Sequence, residues 1–183
     1  EVGIPFTDPL ADGLTIQNAS AMALANGGTL DAILETLATI RGQLDAPVVL
    51  MSYLNPLLRP GLERTVANAH AAGVSGFIVP DLPFEASRRF RDVTAQYGMA
   101  LIPLITPVTP MERVRNISAT ARGFVYTVTR TGVTGGGTQL SEQALRVLTE
   151  ARQSASVPVL AGFGVRTAEQ VRELGPFADG VIV

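Results

Sequence analysis

Six short apolar runs rich in β-branched residues recur at intervals of a few tens of residues: 47–51 (PVVLM), 76–79 (GFIV), 101–105 (LIPLI), 123–126 (GFVY), 157–160 (VPVL) and 179–183 (DGVIV). None alternates apolar with polar side chains, so each reads as a strand buried on both faces, the condition of a strand inside a parallel sheet. The segments between them carry helical spacing. Leu30, Ile33, Leu34, Leu37 and Ile40 form one apolar stripe, and Ala86, Phe90, Val93 and Tyr97 form another. Two helix starts have the capping-box pattern: Thr109 with Glu112, where Pro110 takes the first helical position, and Thr167 with Gln170. Strand, helix, strand in series implies right-handed βαβ units, so the fold class is α/β, either a closed barrel or a doubly wound sheet.

The side chains that are missing narrow the chemistry. All 14 basic residues are arginine. Without lysine there is no Schiff base, which excludes pyridoxal-type and lysine-aldolase mechanisms for this chain. Without cysteine there is no disulfide, thiol nucleophile or zinc-thiolate site, and His70 alone cannot make a histidine-rich metal centre. His70 falls on an expected helix, 62–72, and reads as a surface residue. The net charge of -2, with arginines scattered along the chain, gives no footprint for nucleic acid. No apolar run has the length of a membrane span, and no signal peptide is evident. The length of 183 residues, 46% hydrophobic, suits one domain with a sizeable core. Both ends read as cut, since the chain starts at Glu1 without methionine and stops in an apolar run.

Three places concentrate chemistry. Glu1, Asp8 and Asp12 cluster in a strand stub and the Pro- and Gly-punctuated loop after it; on a barrel such a loop lies at the catalytic face, where carboxyls converge on substrate. The same residues also serve as plain turn formers at Asp8-Pro9 and Asp12-Gly13. Glycines at strand ends, Gly132, Gly135, Gly136 and Gly137 and then Gly162 and Gly164, suit either ordinary turns or a phosphate cradle built from backbone amides beside the helix start at Thr167. The breaker-rich connection 129–138 occupies the position of a lid. Tyr126 is either core or a pocket wall. Tyr53-Leu54-Asn55-Pro56 and Pro80-Asp81-Leu82-Pro83 are polar strand ends that turn chemistry also explains.

In order along the chain, the motifs 1–13 (EVGIPFTDPLADG), 51–56 (MSYLNP), 79–83 (VPDLP), 130–135 (RTGVTG) and 162–165 (GFGV) closely resemble those of tryptophan synthase alpha subunits. The resemblance spans the whole chain. It implies a (β/α)8 TIM barrel, a single domain over 1–183 that here lacks the first strand and the last phosphate-binding helix. It also implies retro-aldol cleavage of indole-3-glycerol phosphate to indole and glyceraldehyde 3-phosphate, a cytoplasmic lyase step late in tryptophan biosynthesis, with no cofactor. By resemblance Glu1 is the general acid-base and Asp12 holds the indole N–H. Ile16, Tyr126 and Phe163 match indole-pocket positions, Gly135 and Gly164 match phosphate contacts, and Thr134 belongs to a loop that meets Asp12 on closing. Asp8, Pro9 and Pro83 match the face toward a pyridoxal-dependent beta chain in an alpha2-beta2 tetramer. Three other readings stand beside this one: a stand-alone lyase without a beta chain, a non-catalytic allosteric subunit, and a glycoside hydrolase, whose acidic pair the scarcity of aromatic residues makes a poor fit.

Overall fold

The structure, a computed structural model, describes residues 1–129, 141–162, 164–165 and 167–183. The chain divides into two compact units, Glu1–Leu101 and Ile102–Val183.

The first unit contains β1 (Val2–Gly3), α1 (Leu14–Ala25), α2 (Leu30–Ile40), β2 (Val48–Met51), α3 (Leu54–Leu58), α4 (Leu62–Ala71), β3 (Val74–Ile78), α5 (Arg88–Gln96) and all but the last residue of β4 (Ala100–Ile102). The strands form one sheet in the order β1-β2-β3-β4, with β1 parallel to β2 and β2 parallel to β3. The expected stripe makes α2: Thr29 caps it by accepting from the Ala32 N–H at 3.2 Å, and Leu30, Leu34 and Leu37 are buried. They join Ile4, Leu50, Phe77, Val79, Val66 and Phe90 in one hydrophobic core. The second stripe is split, with Phe90 and Val93 buried on α5 while Ala86 belongs to a 3-10 turn at Phe84–Ser87. His70 lies exposed on α4, as expected. Gly76 is required by close packing, because a Cβ there would stand 2.6 Å from the Ala100 carbonyl oxygen of the neighbouring strand. Helix α1 has no buried residue and no apolar face, so periodicity gives no sign of it.

The second unit contains β5 (Leu104–Ile105), α6 (Met111–Ala119), β6 (Val125–Val128), α7 (Glu142–Ser154), β7 (Val159–Gly162), α8 (Ala168–Leu174) and β8 (Gly180–Val181). Its strands pair in parallel in the order β5-β6-β7-β8. The run 101–105 is two strands, β4 and β5, separated at Pro103, which has no N–H to give a ladder but whose carbonyl accepts from the Tyr126 N–H at 3.0 Å. The runs 123–126 and 157–160 both become strands two residues later than their sequence suggests. Gly123 has φ +76°, and Pro158 offers only its carbonyl, which takes the Val125 N–H at 2.8 Å.

One expected cap is not formed. Pro110, with ψ 141°, is itself the N-cap of α6, without a side-chain bond, and the extended backbone there leaves Thr109 one residue too early to cap. The Thr109 hydroxyl instead accepts from the Thr106 N–H at 3.1 Å, closing the preceding turn. The box at Thr167 does form: its hydroxyl accepts from the Gln170 N–H, and the Gln170 side chain accepts from the Thr167 N–H. The fold class is α/β, as the pattern of runs requires.

Candidate active site

In the first unit the parallel ladder continues past the strand ends, through Ile4 N–H to Met51 O at 2.8 Å and Ser52 N–H to Ile78 O at 3.0 Å. Parallel pairing therefore brings the connections after β1, β2 and β3 to one edge of the sheet. They carry the loop with Asp8 and Asp12, then Tyr53, then Asp81.

Alternation along β1 places Glu1. Val2 and Ile4 turn toward the hydrophobic core, so Glu1 and Gly3 turn to the other face of the sheet. Gly3 pairs with Met51 and Met51 with Ile78, so these residues share that face with Glu1. A Cβ added at Gly3 would meet nothing within 4 Å, so the space beside Glu1 is open. The Glu1 residue as a whole is exposed, yet desolvation of its carboxyl against the sheet raises its pKa above the usual carboxylate range, opposed by the adjacent amino terminus. A carboxyl shifted that way holds its proton to higher pH than a solvated one, the direction that suits a general acid.

Asp12 lies half-buried. The Tyr53 hydroxyl donates to its Oδ2 at 3.1 Å and accepts from the Ala11 N–H at 2.8 Å, while the Tyr53 ring packs on Phe6 at 5.4 Å between centroids. Burial, together with the negative charges of Asp12 and Asp81, pushes the Tyr53 phenol up to about 12, against the lowering effect of the Ala11 N–H. Asp81 accepts from the Leu54 N–H at 2.9 Å, which ties the loop after β3 to the one after β2. Asp8 is exposed and takes a hydrogen bond from the Thr7 hydroxyl; Pro9 is half-buried. Pro83 is exposed at the start of the 3-10 turn, and Ile16 is 53% exposed on α1. Glu1, Asp12, Asp8, Pro9, Ile16 and Pro83 thus all stand on elements of the first unit. Tyr53, bonded to Asp12, is a residue of this cluster to which the sequence gives no role, and its signal there is a polar aromatic just past strand β2.

In the second unit Tyr126 is 4% exposed on β6, its ring beside Gly162. The Thr129 hydroxyl donates to the Gly162 carbonyl at 2.8 Å, and Gly164 follows at φ +95°, exposed, ahead of the capped start of α8. Thr134, Gly135 and Phe163 lie outside the described residues. Among the described residues no group of three or more His, Cys, Asp or Glu could hold a metal ion, and no helix is long and apolar enough to cross a membrane.

The family model described as tryptophan synthase alpha chain matches residues 1–183. The tryptophan synthase alpha chain of Bacillus cereus is 45% identical over 183 residues, covering 100% of this chain and 71% of that relative. That of a Synechococcus strain is 45% identical over 184 residues, covering 68% of that relative. Among solved structures, tryptophan synthase subunit alpha from Campylobacter jejuni superposes with a TM-score of 0.84 at 34% identity, covering 99% of this chain and 72% of that one. A structure of the tryptophan synthase a2b2 complex from Pyrococcus furiosus superposes with a TM-score of 0.87 at 36% identity, covering 99% of this chain and 73% of that one.

Proposed function

The chain belongs to the tryptophan synthase alpha chain family, TIM-barrel lyases of tryptophan biosynthesis, and from that premise we propose how its residues carry out cleavage of indole-3-glycerol phosphate to indole and glyceraldehyde 3-phosphate. Protonation of indole C3 turns the ring into an electron sink, with positive charge on the ring nitrogen. Glu1 supplies that proton. Its carboxylate then takes the proton of the side-chain hydroxyl adjacent to the ring; the O–H electrons form the aldehyde C=O, and the C–C bond pair returns to the ring and neutralises the nitrogen. One proton is delivered and one recovered, so Glu1 ends as it began and the chain needs no cofactor of its own. Asp12 accepts a hydrogen bond from the indole N–H, which becomes more acidic as charge develops, and so favours the transition state over the ground state.

The observation that carries this reading is the placement of Glu1: on the face of the sheet opposite the core, beside the open space at Gly3, with desolvation raising its carboxyl pKa. In the first unit we assign Ile16 to the indole, and Asp8, Pro9 and Pro83 to the face toward a beta chain. In the second unit we assign Tyr126 and Phe163 to the indole, Thr134 to a closing loop, and Gly135 and Gly164 to phosphate. The beta chain of an alpha2-beta2 tetramer, itself pyridoxal-dependent, is the partner, and the cytoplasm the location. The test is indole release from indole-3-glycerol phosphate by the full-length protein, with and without a beta chain, beside Glu1→Gln. Strong release with beta that is lost in the variant supports the assignment; no release under either condition leaves the non-catalytic reading in its place.

A further inference from the structure

The loop bearing Asp12 has little of its own to hold it. From Thr7 to Gly13 no residue is buried, and Leu10, its one large apolar side chain, is 92% exposed. Its internal bonds are the short turns Leu10 N–H to Asp8 O and Asp12 N–H to Pro9 O and the Thr7 hydroxyl on Asp8, and from α1 the Gln17 side-chain amide donates to the Asp12 carbonyl at 2.9 Å, which holds the backbone of Asp12 and leaves its carboxylate to be held by something else. A carboxylate meant to meet one N–H of a bound ring must nevertheless be held within a fraction of an ångström.

Tyr53 provides that hold. It is 7% exposed, seated on Phe6, and placed by strand β2, whose Leu50 is buried and from whose end only Ser52 separates it. Its hydroxyl has a single hydrogen and two lone pairs. The Ala11 N–H can only donate and therefore occupies a lone pair, leaving the phenol hydrogen for the Asp12 carboxylate, whose Oδ2 lies 3.1 Å away. Neighbouring backbone fixes the phenol in turn, since the Leu54 N–H is bonded to Asp81. A phenol that keeps its proton up to about 12 donates throughout the working pH range.

We propose that Tyr53 is the positioning residue of Asp12: one hydroxyl clamps the Ala11 amide and the Asp12 carboxylate and thereby aims the free Asp12 oxygen at the substrate N–H. This rests on the role given above to Asp12. Tyr53 touches no reacting atom in this account and acts only through its neighbour.

The experiment is a double-mutant cycle in the full-length protein with its beta chain, using Tyr53→Phe, which keeps the ring and its Phe6 contact, and Asp12→Asn. Tyr53→Phe alone is expected to lower kcat/KM about tenfold or more, the effect of one hydrogen bond to a charged group. In the Asp12→Asn background the same substitution is expected to change it by less than about twofold, because there is no longer a carboxylate to position. A second readout needs no turnover: inhibition by 3-(indol-3-yl)propyl phosphate, which lacks the hydroxyls to be cleaved, against its 1-methyl derivative. Tyr53→Phe should weaken the N–H inhibitor and leave the N-methyl one unchanged. Equal losses in both backgrounds, equal weakening of both inhibitors, or no loss at all would overturn the proposal. Full activity in Asp12→Asn would instead overturn the role given to Asp12, and the two failures are told apart by that single variant.

Discussion

Replacing Gly162 by alanine tests the packing of the second unit beside the Tyr126 ring. The φ of Gly162 lies outside the left-handed region, so an L side chain is compatible with its backbone. In open space the substitution would stabilise the protein by about 0.4–1 kcal/mol through the unfolded chain. The space is not open. An added Cβ would stand 2.5 Å from Cε2 of Tyr126, 2.7 Å from its Oη and 2.9 Å from its Cζ. Ordinary carbon contacts are about 3.5–4.0 Å, so the ring must retreat by about 1 Å. It has little freedom to do so: Tyr126 is 4% exposed, its neighbours Val125 and Thr127 are fully buried, and its N–H is bonded to the Pro103 carbonyl. Overpacking of this kind costs about 1–3 kcal/mol, which outweighs the entropic gain and leaves a net loss of about 1–2 kcal/mol.

Urea unfolding of the parent and Gly162→Ala measures that loss, and Tyr126→Leu in both backgrounds assigns it. Leucine has no Cε2, Cζ or Oη, so in its presence the alanine should cost nothing, a coupling of about 1 kcal/mol or more. KM for indole-3-glycerol phosphate should rise in Gly162→Ala, because the displaced ring is the one assigned to the indole. Alanine that is neutral or stabilising in the parent, or that costs the same beside Tyr126→Leu, would refute the reasoning.

Gly76→Ala should be the more damaging glycine change, at about 3 kcal/mol, because its Cβ meets a strand carbonyl that cannot swing aside as a ring can; a loss under about 1 kcal/mol in urea unfolding counts against it. Thr167→Ala should cost about 1 kcal/mol by opening the capping box of α8, with Thr167→Ser restoring most of it in the same assay. For Glu1 the raised folded-state pKa makes the protonated form the stabilised one. Its contribution is therefore full below the usual glutamate value and is lost as pH rises through the folded value. Melting temperatures of the parent and Glu1→Gln across that window should diverge in favour of the variant as pH rises, and parallel curves would remove the claim that burial shifts this group.

What could be read in the sequence follows from how local each cause is. The stripe Leu30, Leu34, Leu37 is a helix whose inner face is its own signal, and it is buried as expected. Helix α1 has no such face, so only the folded chain reveals it. The runs near Gly123 and Pro158 mark strands but misplace their starts, because apolar character continues through residues whose backbone is not yet in the ladder. Thr109 has the composition of a cap without its geometry, which depends on one backbone angle at Pro110. The carboxyls Glu1 and Asp12 stand out beside their Pro- and Gly-marked loop, but on spacing alone turn formation is the better explanation, and it is the resemblance of the whole motif to the family that points to chemistry. Tyr53 shows locally only as a polar aromatic at a strand end, and its role has no local signal, since its partners lie 41 and 42 residues away and are brought to it by the register of β1 on β2.

The inventory of side chains explains why the two carboxyls stand in unlike surroundings. With no lysine or cysteine in this chain, and its one histidine exposed on α4, the proposal gives proton transfer and charge stabilisation to two of its acidic groups. An acid keeps its proton to higher pH when it loses solvation, whereas a carboxylate acceptor gains direction when one of its oxygens is held by a fixed donor. Desolvation against the sheet gives Glu1 the first condition, and the Tyr53 hydroxyl gives Asp12 the second. Exchanging the two environments would reverse the roles with no change in residue type, so in this chain the positions of Gly3 and Tyr53 are as much a part of the proposed mechanism as the carboxylates.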